Sequence, residues 1–584
     1  MEIGSQRSMP LSMSRPFSPA AEASGLDPRL QRMEWLPALF AEQPRRWELI
    51  KLPTQRSSHA VHVRVHRNHG FESTASAVVP YLALRDWQPE FSYSDYDDSL
   101  TFRIEAPAEL DIVWLDYCRY VARTPAPQFA AWLRQRVLTL RQLTDTPIIL
   151  VNWPEQSVYA NSVREAFENH AVPGLLLGSL EPVRARLGDR LLDERMVAVS
   201  GTRLSDAASI LIARELGCRW IPAAIAPRLK AVALDLDDTL VAGVLGEDGP
   251  EGVVLTPGHR ALQEYLFELR QSGLFLALVS RNEESDVQRL LSLRDDFPLK
   301  WEHFSARQIH WGSKAESLEA VAGALRIGMD AMLYVDDNLG ELAKVANAHR
   351  DLCLAHANTD AFLTRRVLEH FPGLWSRGDG GADIVRVGDL EANTERDKIL
   401  AQSTDRAGYL RSLQVPLVFQ LNPCAHLGRI HELSQKTNQF NLALKRFTEA
   451  EIERRLQSPG CKVVTVRLAD RLSDSGIIGA LFAREEAEAI VVEELCISCR
   501  ALGRELEDIM VAKALETACP QRPGKPLLFE QAAGPRNDPA RQWLRRVAGE
   551  VWDPSASRVG VPLSFMNPRP ECSLLDIKIE RTNG

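Results

Sequence analysis

Short apolar runs alternate with amphipathic stretches through the first two thirds of the chain. Leu110-Asp-Ile-Val-Trp-Leu115, Pro147-Ile-Ile-Leu-Val-Asn152 and Leu175-Leu-Leu177 read as buried strands. Phe129 to Leu143 and Ser162 to Asn169, lying between them, carry the helical spacing. Strands that alternate with helices predict a parallel sheet. The same rhythm resumes at Lys230-Ala-Val-Ala-Leu-Asp235. There Thr256-Pro257 forms an N-cap with a proline at the first helical position, followed by the apolar face Leu262, Tyr265, Leu266 and Leu269 that stops near Gly273. A strand over Leu274 to Ser280 comes next, then Asn282 as the cap of a helix with Glu283 and Glu284 in its first turn. Met332 to Asp336 and Asp351 to Ala355 complete the set of short strands. Beyond Ser376 the pattern changes. Val463 to Leu468, Ile477 to Phe482 and Ile490 to Leu495 are strands in succession, the last two joined by a charged turn at Arg484-Glu-Glu486, so an α+β domain with antiparallel strands is predicted.

These readings divide the chain into a flexible tail over residues 1–25, an α/β domain of SGNH-like or Rossmann-like type over 26–227 and a central parallel-sheet domain over 228–375. A linker over 376–394 and an α+β domain over 395–584 follow. The first domain has no Gly-rich phosphate turn and no Gly-Asp-Ser motif, so no chemistry is assigned to it. With 69 Lys+Arg against 78 Asp+Glu the net charge is −9, which argues against a nucleic-acid partner. No stretch reaches the roughly 18 consecutive apolar residues of a membrane span, and no signal-peptide core precedes the first domain. Nine cysteines, scattered over 584 residues, are too few for a disulfide framework and point to a reducing, cytoplasmic setting.

The strongest chemical signal is Asp235-Leu-Asp237-Asp-Thr239 at the end of a buried strand. In open α/β sheets chemistry sits outside the carboxyl ends of the strands. Asp235 and Asp237 project together where the strand ends, and Asp336 and Asp337 end another strand. The four carboxylates offer the hard oxygen ligands that Mg²⁺ prefers. Ser280 ends a third strand and suits a phosphoryl oxygen, while Lys314 offsets the charge of phosphate and carboxylates. A carboxylate serves as nucleophile toward phosphorus when a metal and a lysine screen its repulsion, with a second carboxyl protonating the leaving oxygen. A lone Asp-x-Asp is more often a pair of turn caps. The ordered set of four elements weighs against that.

These residues resemble the four motifs of the haloacid dehalogenase superfamily. The resemblance implies Asp235 as phosphoryl-accepting nucleophile and Mg²⁺ ligand, Asp237 as general acid/base that also offers a backbone carbonyl, Asp336 as metal ligand, and Ser280 and Lys314 as phosphoryl binders. The longer runs Asp235 to Gly249, Ser280-Arg-Asn282, Trp311-Gly-Ser-Lys314, Val335-Asp-Asp-Asn338, Ser434 to Asn441, Asp474 to Gly479 and Ser498 to Glu505 resemble the FkbH-type branch over about residues 225 to 550. That branch implies phosphate removal from 1,3-bisphosphoglycerate and loading of a glyceryl unit onto the phosphopantetheine thiol of an acyl carrier protein, in polyketide-type biosynthesis. Thr239, Arg281, Asn282 and Asn338 are then candidate substrate or phosphate contacts. Three departures stand near the site: Asp238 replaces the branch's Asn, Val241-Ala242 replace Trp-Gly, and Val279 stands where many members carry a relay cysteine before the motif serine.

In the last domain Arg500-Ala-Leu-Gly503-Arg504-Glu505 lies between a strand and a helix over Leu506 to Leu515. It resembles the coenzyme-A loop of Gcn5-type N-acetyltransferases, with Glu505 in place of a small residue. Arg500, Gly503, Arg504, Lys436 and Asn438 are candidate contacts for the carrier arm, against the plainer reading of a strand–turn–helix join. Cys499, beside Arg500 and a helix N-terminus that would both lower a thiol pKa, is the substitute relay candidate. Cys496 is expected to be buried as a small hydrophobe. The Cys496-x-x-Cys499 spacing has no second pair or nearby His and is not read as a zinc site. Two other functions stay open: a free-standing small-molecule phosphatase, and a scaffold that docks carrier proteins.

Overall fold

The computed structural model describes the chain except residues 1–26, 53–58, 155–156, 378–380, 404, 503, 505, 522–523, 568 and 582–584. The expected tail over 1–25 therefore lies outside the described residues. Three sheets organise the rest. The first comprises β1 (His59–Arg67), β2 (Trp87–Tyr96), β3 (Leu110–Trp114), β4 (Ile148–Asn152) and β5 (Leu175–Ser179), all parallel in the order β2-β1-β3-β4-β5. Every position of β3 and β4 is buried, as a parallel sheet covered by helices on both faces requires. Pro89 is accommodated because β2 is an edge strand.

The second sheet comprises β6 (Ala231–Leu234), β7 (Phe275–Ser280), β8 (Ala306–Ile309), β9 (Met332–Asp336) and β10 (Cys353–His356). It is also parallel, in the order β10-β9-β6-β7-β8. The chain leaves β6 toward β7 on one side and later returns to β9 on the other. The strand order therefore reverses at β6, which opens a crevice at the carboxyl ends. One continuous apolar core runs from Leu30 to Leu374 across both sheets, so the division expected at 227/228 separates sheets rather than cores.

The third sheet comprises β11 (Pro416–Leu421), β12 (Cys461–Ala469), β13 (Asp474–Glu485), β14 (Ile490–Ile497), β15 (Leu527–Glu530), β16 (Arg558–Val561) and β17 (Asp576–Arg581), in the order β16-β15-β14-β13-β12-β11-β17. It is mixed. β11 to β14 form an antiparallel run, whereas β14–β15 and β11–β17 pair parallel. The α+β expectation and the Arg484-Glu-Glu486 hairpin both hold. A separate core packs under this sheet.

The expected linker over 376–394 is corrected by a helix over Gly381–Gln402. Its sequence lacks an apolar stripe because the face it buries is polar. Asp389 accepts from Ser475 at 2.9 Å and from Ser473, and Arg396 donates to Asp470 at 2.8 and 3.0 Å.

A second detail concerns β14 and β15, which pair only over Ile490–Val492 with Leu527–Phe529. Where they part, Phe440–Leu442 fills the gap. Ile497 N–H donates to Phe440 O at 2.9 Å, Leu442 N–H to Leu495 O at 3.2 Å and Ala532 N–H to Leu442 O at 3.0 Å. The fully buried Glu494 carboxylate fixes this insert by accepting from the backbone N–H groups of Leu442, Ala443 and Lys445 at 3.0, 2.9 and 2.6 Å.

The three parts are tied by charged contacts. Arg29 caps the end of the helix Leu339–Ala348 by donating to Ala346 O at 2.5 Å and His349 O at 2.7 Å. Arg536 pairs with Asp330 and with Asp351, and Glu449 accepts from Gly174 N–H at 2.7 Å. Among the described residues no helix is long and apolar enough to cross a membrane.

Candidate active site

The motif residues converge at the carboxyl end of the second sheet. Asp235 follows β6, Ser280 ends β7, Asp336 ends β9, and Lys314 opens the helix Lys314–Leu325. Carboxylate oxygens of Asp235, Asp336 and Asp337 lie within 4.8 Å of one another. The Lys314 ammonium sits 2.6 Å from Asp336 Oδ2 and 3.1 Å from Asp235 Oδ2. Asp336 is completely buried and also accepts from Asn338 N–H at 2.8 Å and from the Tyr334 hydroxyl. Tyr334 is two residues before Asp336 on the same strand and therefore shares its face. That spacing is the signal by which the sequence reading could have found this partner.

Burial sets the proton affinities. It pushes the Asp235 carboxyl up to about 7; Lys314 pulls it down and Asp336 adds to the rise. Burial alone would depress Lys314, but the charges of Asp235 and Asp336 carry it above its ordinary value. Asp237 is raised by burial against the N–H groups that hold its charge, and Asp337 by burial and then by the neighbouring charges of Asp336 and Asp238.

Asp237 stands apart from the trio. Its carboxylate accepts from Leu245 N–H at 2.9 Å and from the Asn282 amide at 2.8 Å. The expectation of four clustered carboxylates is thus corrected to three, because the fourth is drawn toward the segment after β6. Asn282 is corrected as well. The cap position of the helix Glu284–Leu293 belongs to Glu283, and the buried Asn282 amide instead bridges Asp237 and, at 3.0 Å, Ser280 Oγ.

Asn338 is an N-cap, its oxygen accepting from Gly340 and Glu341 N–H, so that oxygen is committed to the fold. Arg281 pairs with Glu341 at 3.2 Å. Two polar atoms of the expected set, Thr239 Oγ1 and Arg281 Nε, are buried with no hydrogen-bond partner. His356, which carries no sequence signal of its own, donates from Nε2 to Asp337 O at 2.8 Å.

Asp238 has φ +48°, a left-handed conformation that Asn and Asp tolerate best, and its Oδ1 accepts from Gly243 N–H at 2.9 Å. The Asn-to-Asp departure therefore keeps the backbone function. We predict that Asp238→Asn leaves the melting temperature unchanged, whereas Asp238→Val destabilises by about 1–2 kcal/mol, read from unfolding curves of the two variants. Val241 and Val279 are buried in the core.

The residues proposed for a carrier arm do not join this site. Cys499, Arg500, Lys436 and Asn438 gather instead with Lys230 at the other end of β6, around a cavity of about 400 Å³. Lys230 and Asp235 flank that strand, so five residue steps, about 16 Å, separate their backbones. Cys499 is thereby excluded as a group that touches the same reacting atoms as Asp235.

The coenzyme-A-loop expectation is corrected in the same place. Arg504 is enclosed, donating to Asp470 at 3.0 Å and Ser475 at 2.8 Å, and Arg500 lies 3.9 Å from Asp389. Both guanidinium groups are thus already held by carboxylates of the chain itself. Gly503 and Glu505 lie outside the described residues. Asn438 accepts from Arg446 at 2.7 Å, and Cys496 is fully buried as expected. None of the nine cysteines is paired.

No protein-family model matches the chain, and no curated protein matches it. Among solved structures it is similar to the N-terminal part, containing a phosphatase domain, of a Bacteroides fragilis protein complexed with Mg. That likeness has 18% identity over 59% of this chain and 99% of the other, with a TM-score of 0.46. It is also similar to a GCN5-related glucosamine N-acetyltransferase region in a fungal multi-domain GH3 β-N-acetylglucosaminidase, at 10% identity over 90% of this chain and 67% of the other, with a TM-score of 0.18.

Proposed function

We propose that the chain is a Mg²⁺-dependent phosphoryl hydrolase acting on a small phosphorylated metabolite, with Asp235 as nucleophile. The observation that carries this is the trio of carboxylates with oxygens within 4.8 Å of one another, paired with one buried ammonium. Three carboxylates and one ammonium leave two unbalanced negative charges, which one divalent cation neutralises. An all-oxygen donor set suits Mg²⁺ rather than a softer ion. Asp235, Asp336 and Asp337 would hold it, with the main-chain oxygen of Asp237 as the resemblance implies. When bound, the cation screens the repulsion between phosphate and carboxylate.

Asp235 Oδ attacks phosphorus and the bond to the leaving oxygen breaks, with the proton coming from Asp237, whose raised affinity keeps it available. Water, deprotonated by Asp237, then attacks the aspartyl phosphate and releases inorganic phosphate. Asn282 fixes both the Asp237 carboxyl and Ser280 Oγ. Thr239 Oγ1 and Arg281 Nε supply unpaired donors for phosphoryl oxygens.

The three-carbon substrate and the acceptor follow from the motif resemblance. In that extension the carrier thiol attacks the acyl carbon of 1,3-bisphosphoglycerate. The 1-phosphate leaves and a 3-phosphoglyceryl thioester forms, and hydrolysis of its remaining phosphomonoester at Asp235 leaves the glyceryl thioester. Incubation with 1,3-bisphosphoglycerate and a pantetheinylated carrier, followed by intact mass, tests it. A glyceryl increment on the carrier supports the transfer; phosphate release without an increment leaves a free-standing phosphatase. Chelation of Mg²⁺ is expected to abolish phosphate release in either case, with recovery on adding Mg²⁺ back. Release that persists in excess chelator contradicts the metal assignment.

A further inference from the structure

Lys230, the residue before β6, lies at the amino end of the second sheet, away from the carboxylates. Its half-buried ammonium faces the 400 Å³ cavity between that sheet end and the helix Leu427–Lys436. Its one described hydrogen bond is to Lys436 O at 3.4 Å, and no carboxylate pairs with it among the described residues.

The walls around it are strongly cationic. Arg386, Arg429, Lys436, Arg500 and Arg536 line the same space, and the lining contains one carboxylate, Glu432. Glu432 is already shared, at 2.5 Å from Arg429 and 2.7 Å from Lys436. Arg500 and Arg536 lean on Asp389 and on Asp330 and Asp351 behind the wall. Desolvation, reinforced by the like charges of Arg386 and Lys436, lowers Lys230 to about 8, and burial with Arg429 and Arg386 nearby lowers Arg500 to about 10. Carboxylates of the chain offset most of these cations, but Lys230 has none among the described residues, and a desolvated cation among like charges is costly unless something outside the chain offsets it. A cavity of this volume is of small-molecule size.

We propose that this cavity is a binding site for a small molecule bearing a multiply charged phosphate group, a pyrophosphate or phosphomonoester, with Lys230 and Lys436 as its direct partners. The site is independent of the carboxylate centre and does not rest on the phosphoryl-hydrolase reading. A phosphodiester within a carrier protein carries a single charge and is the poorer match to so many cations.

Cys499 lines the cavity and is partly accessible, so it reports occupancy. The test measures its alkylation rate by peptide mass spectrometry on the full chain, in chelator so that the carboxylate site holds no metal. Inorganic pyrophosphate, inorganic phosphate and a pantetheinylated carrier protein are the separate additions. Pyrophosphate is expected to slow alkylation at least tenfold with saturation. Lys230→Met, which keeps side-chain length and removes a charge with no carboxylate partner, is expected to fold and to lose most of that protection. Lys436→Gln is the second variant, so that a folding defect in either one leaves the other informative. Absence of protection by pyrophosphate overturns the proposal. So does protection confined to the carrier protein, which would mark a docking surface, or full protection retained in both folded variants.

Discussion

Asp235→Asn is expected to lower phosphate release by at least about 10³-fold while leaving the fold intact. The amide is nearly the same size, and Lys314 keeps its 2.6 Å contact with Asp336. What disappears is the nucleophilic oxygen and one of the three carboxylates within 4.8 Å. Steady-state phosphate release, measured beside a melting curve, separates this from misfolding. An unchanged melting temperature with lost turnover is the expected pair. Turnover within tenfold of the parent would place the chemistry elsewhere.

The second large effect concerns stability, in the last domain. Glu494→Ala is expected to destabilise that domain by at least about 3 kcal/mol, because the Ala443 and Lys445 N–H groups would be left without an acceptor in the interior and Leu442 N–H would keep only its 3.2 Å bond to Leu495 O. Glu494→Gln retains an acceptor oxygen and should cost less. The pH dependence has a definite sign. Burial lifts Glu494 to about 7, above the usual carboxylate range, so the native state holds this proton more tightly than the unfolded chain. Its contribution is complete below about pH 4 and is lost as pH rises toward 7. Unfolding curves across that window should show this slope in the parent and lose it in Glu494→Gln. Hydrogen exchange at residues 440–445 provides the local readout, and an unperturbed insert in Glu494→Ala would contradict the account.

The strand ends that carry chemistry were legible because they follow continuous apolar runs. The apolar run Met332–Asp336 predicts the bounds observed, and the runs at β6 and β7 do so to within a residue at each end. β1 is not legible as a strand although Val61, Val63 and Val65 alternate cleanly. Its other positions include Arg64 and His66, which look solvated but are buried because Asp111 on the adjacent strand pairs with them at 2.8 and 2.9 Å. A neutralising partner so far along the chain leaves no local signal. Residues 376–394, whose later part belongs to the helix Gly381–Gln402, read as a linker for the same reason, since Asp389 and Arg396 of that helix are buried against other charges. At the site, residue types revealed Asp235, Asp336 and Lys314, but not that Asn282 turns inward. The relay role given to Cys499 failed on topology. Proximity to Arg500 in sequence said nothing about which end of the central sheet the pair would meet.

The central claim is that Asp235 itself accepts the phosphoryl group. Reaction with substrate and Mg²⁺, quenched into borohydride, converts an aspartyl phosphate to homoserine, which peptide sequencing locates. The account predicts homoserine at position 235, absent without Mg²⁺ and absent when Ser280 and Asp235 are both replaced. Steady phosphate release with an unmodified Asp235, or homoserine at another acidic residue, would contradict it.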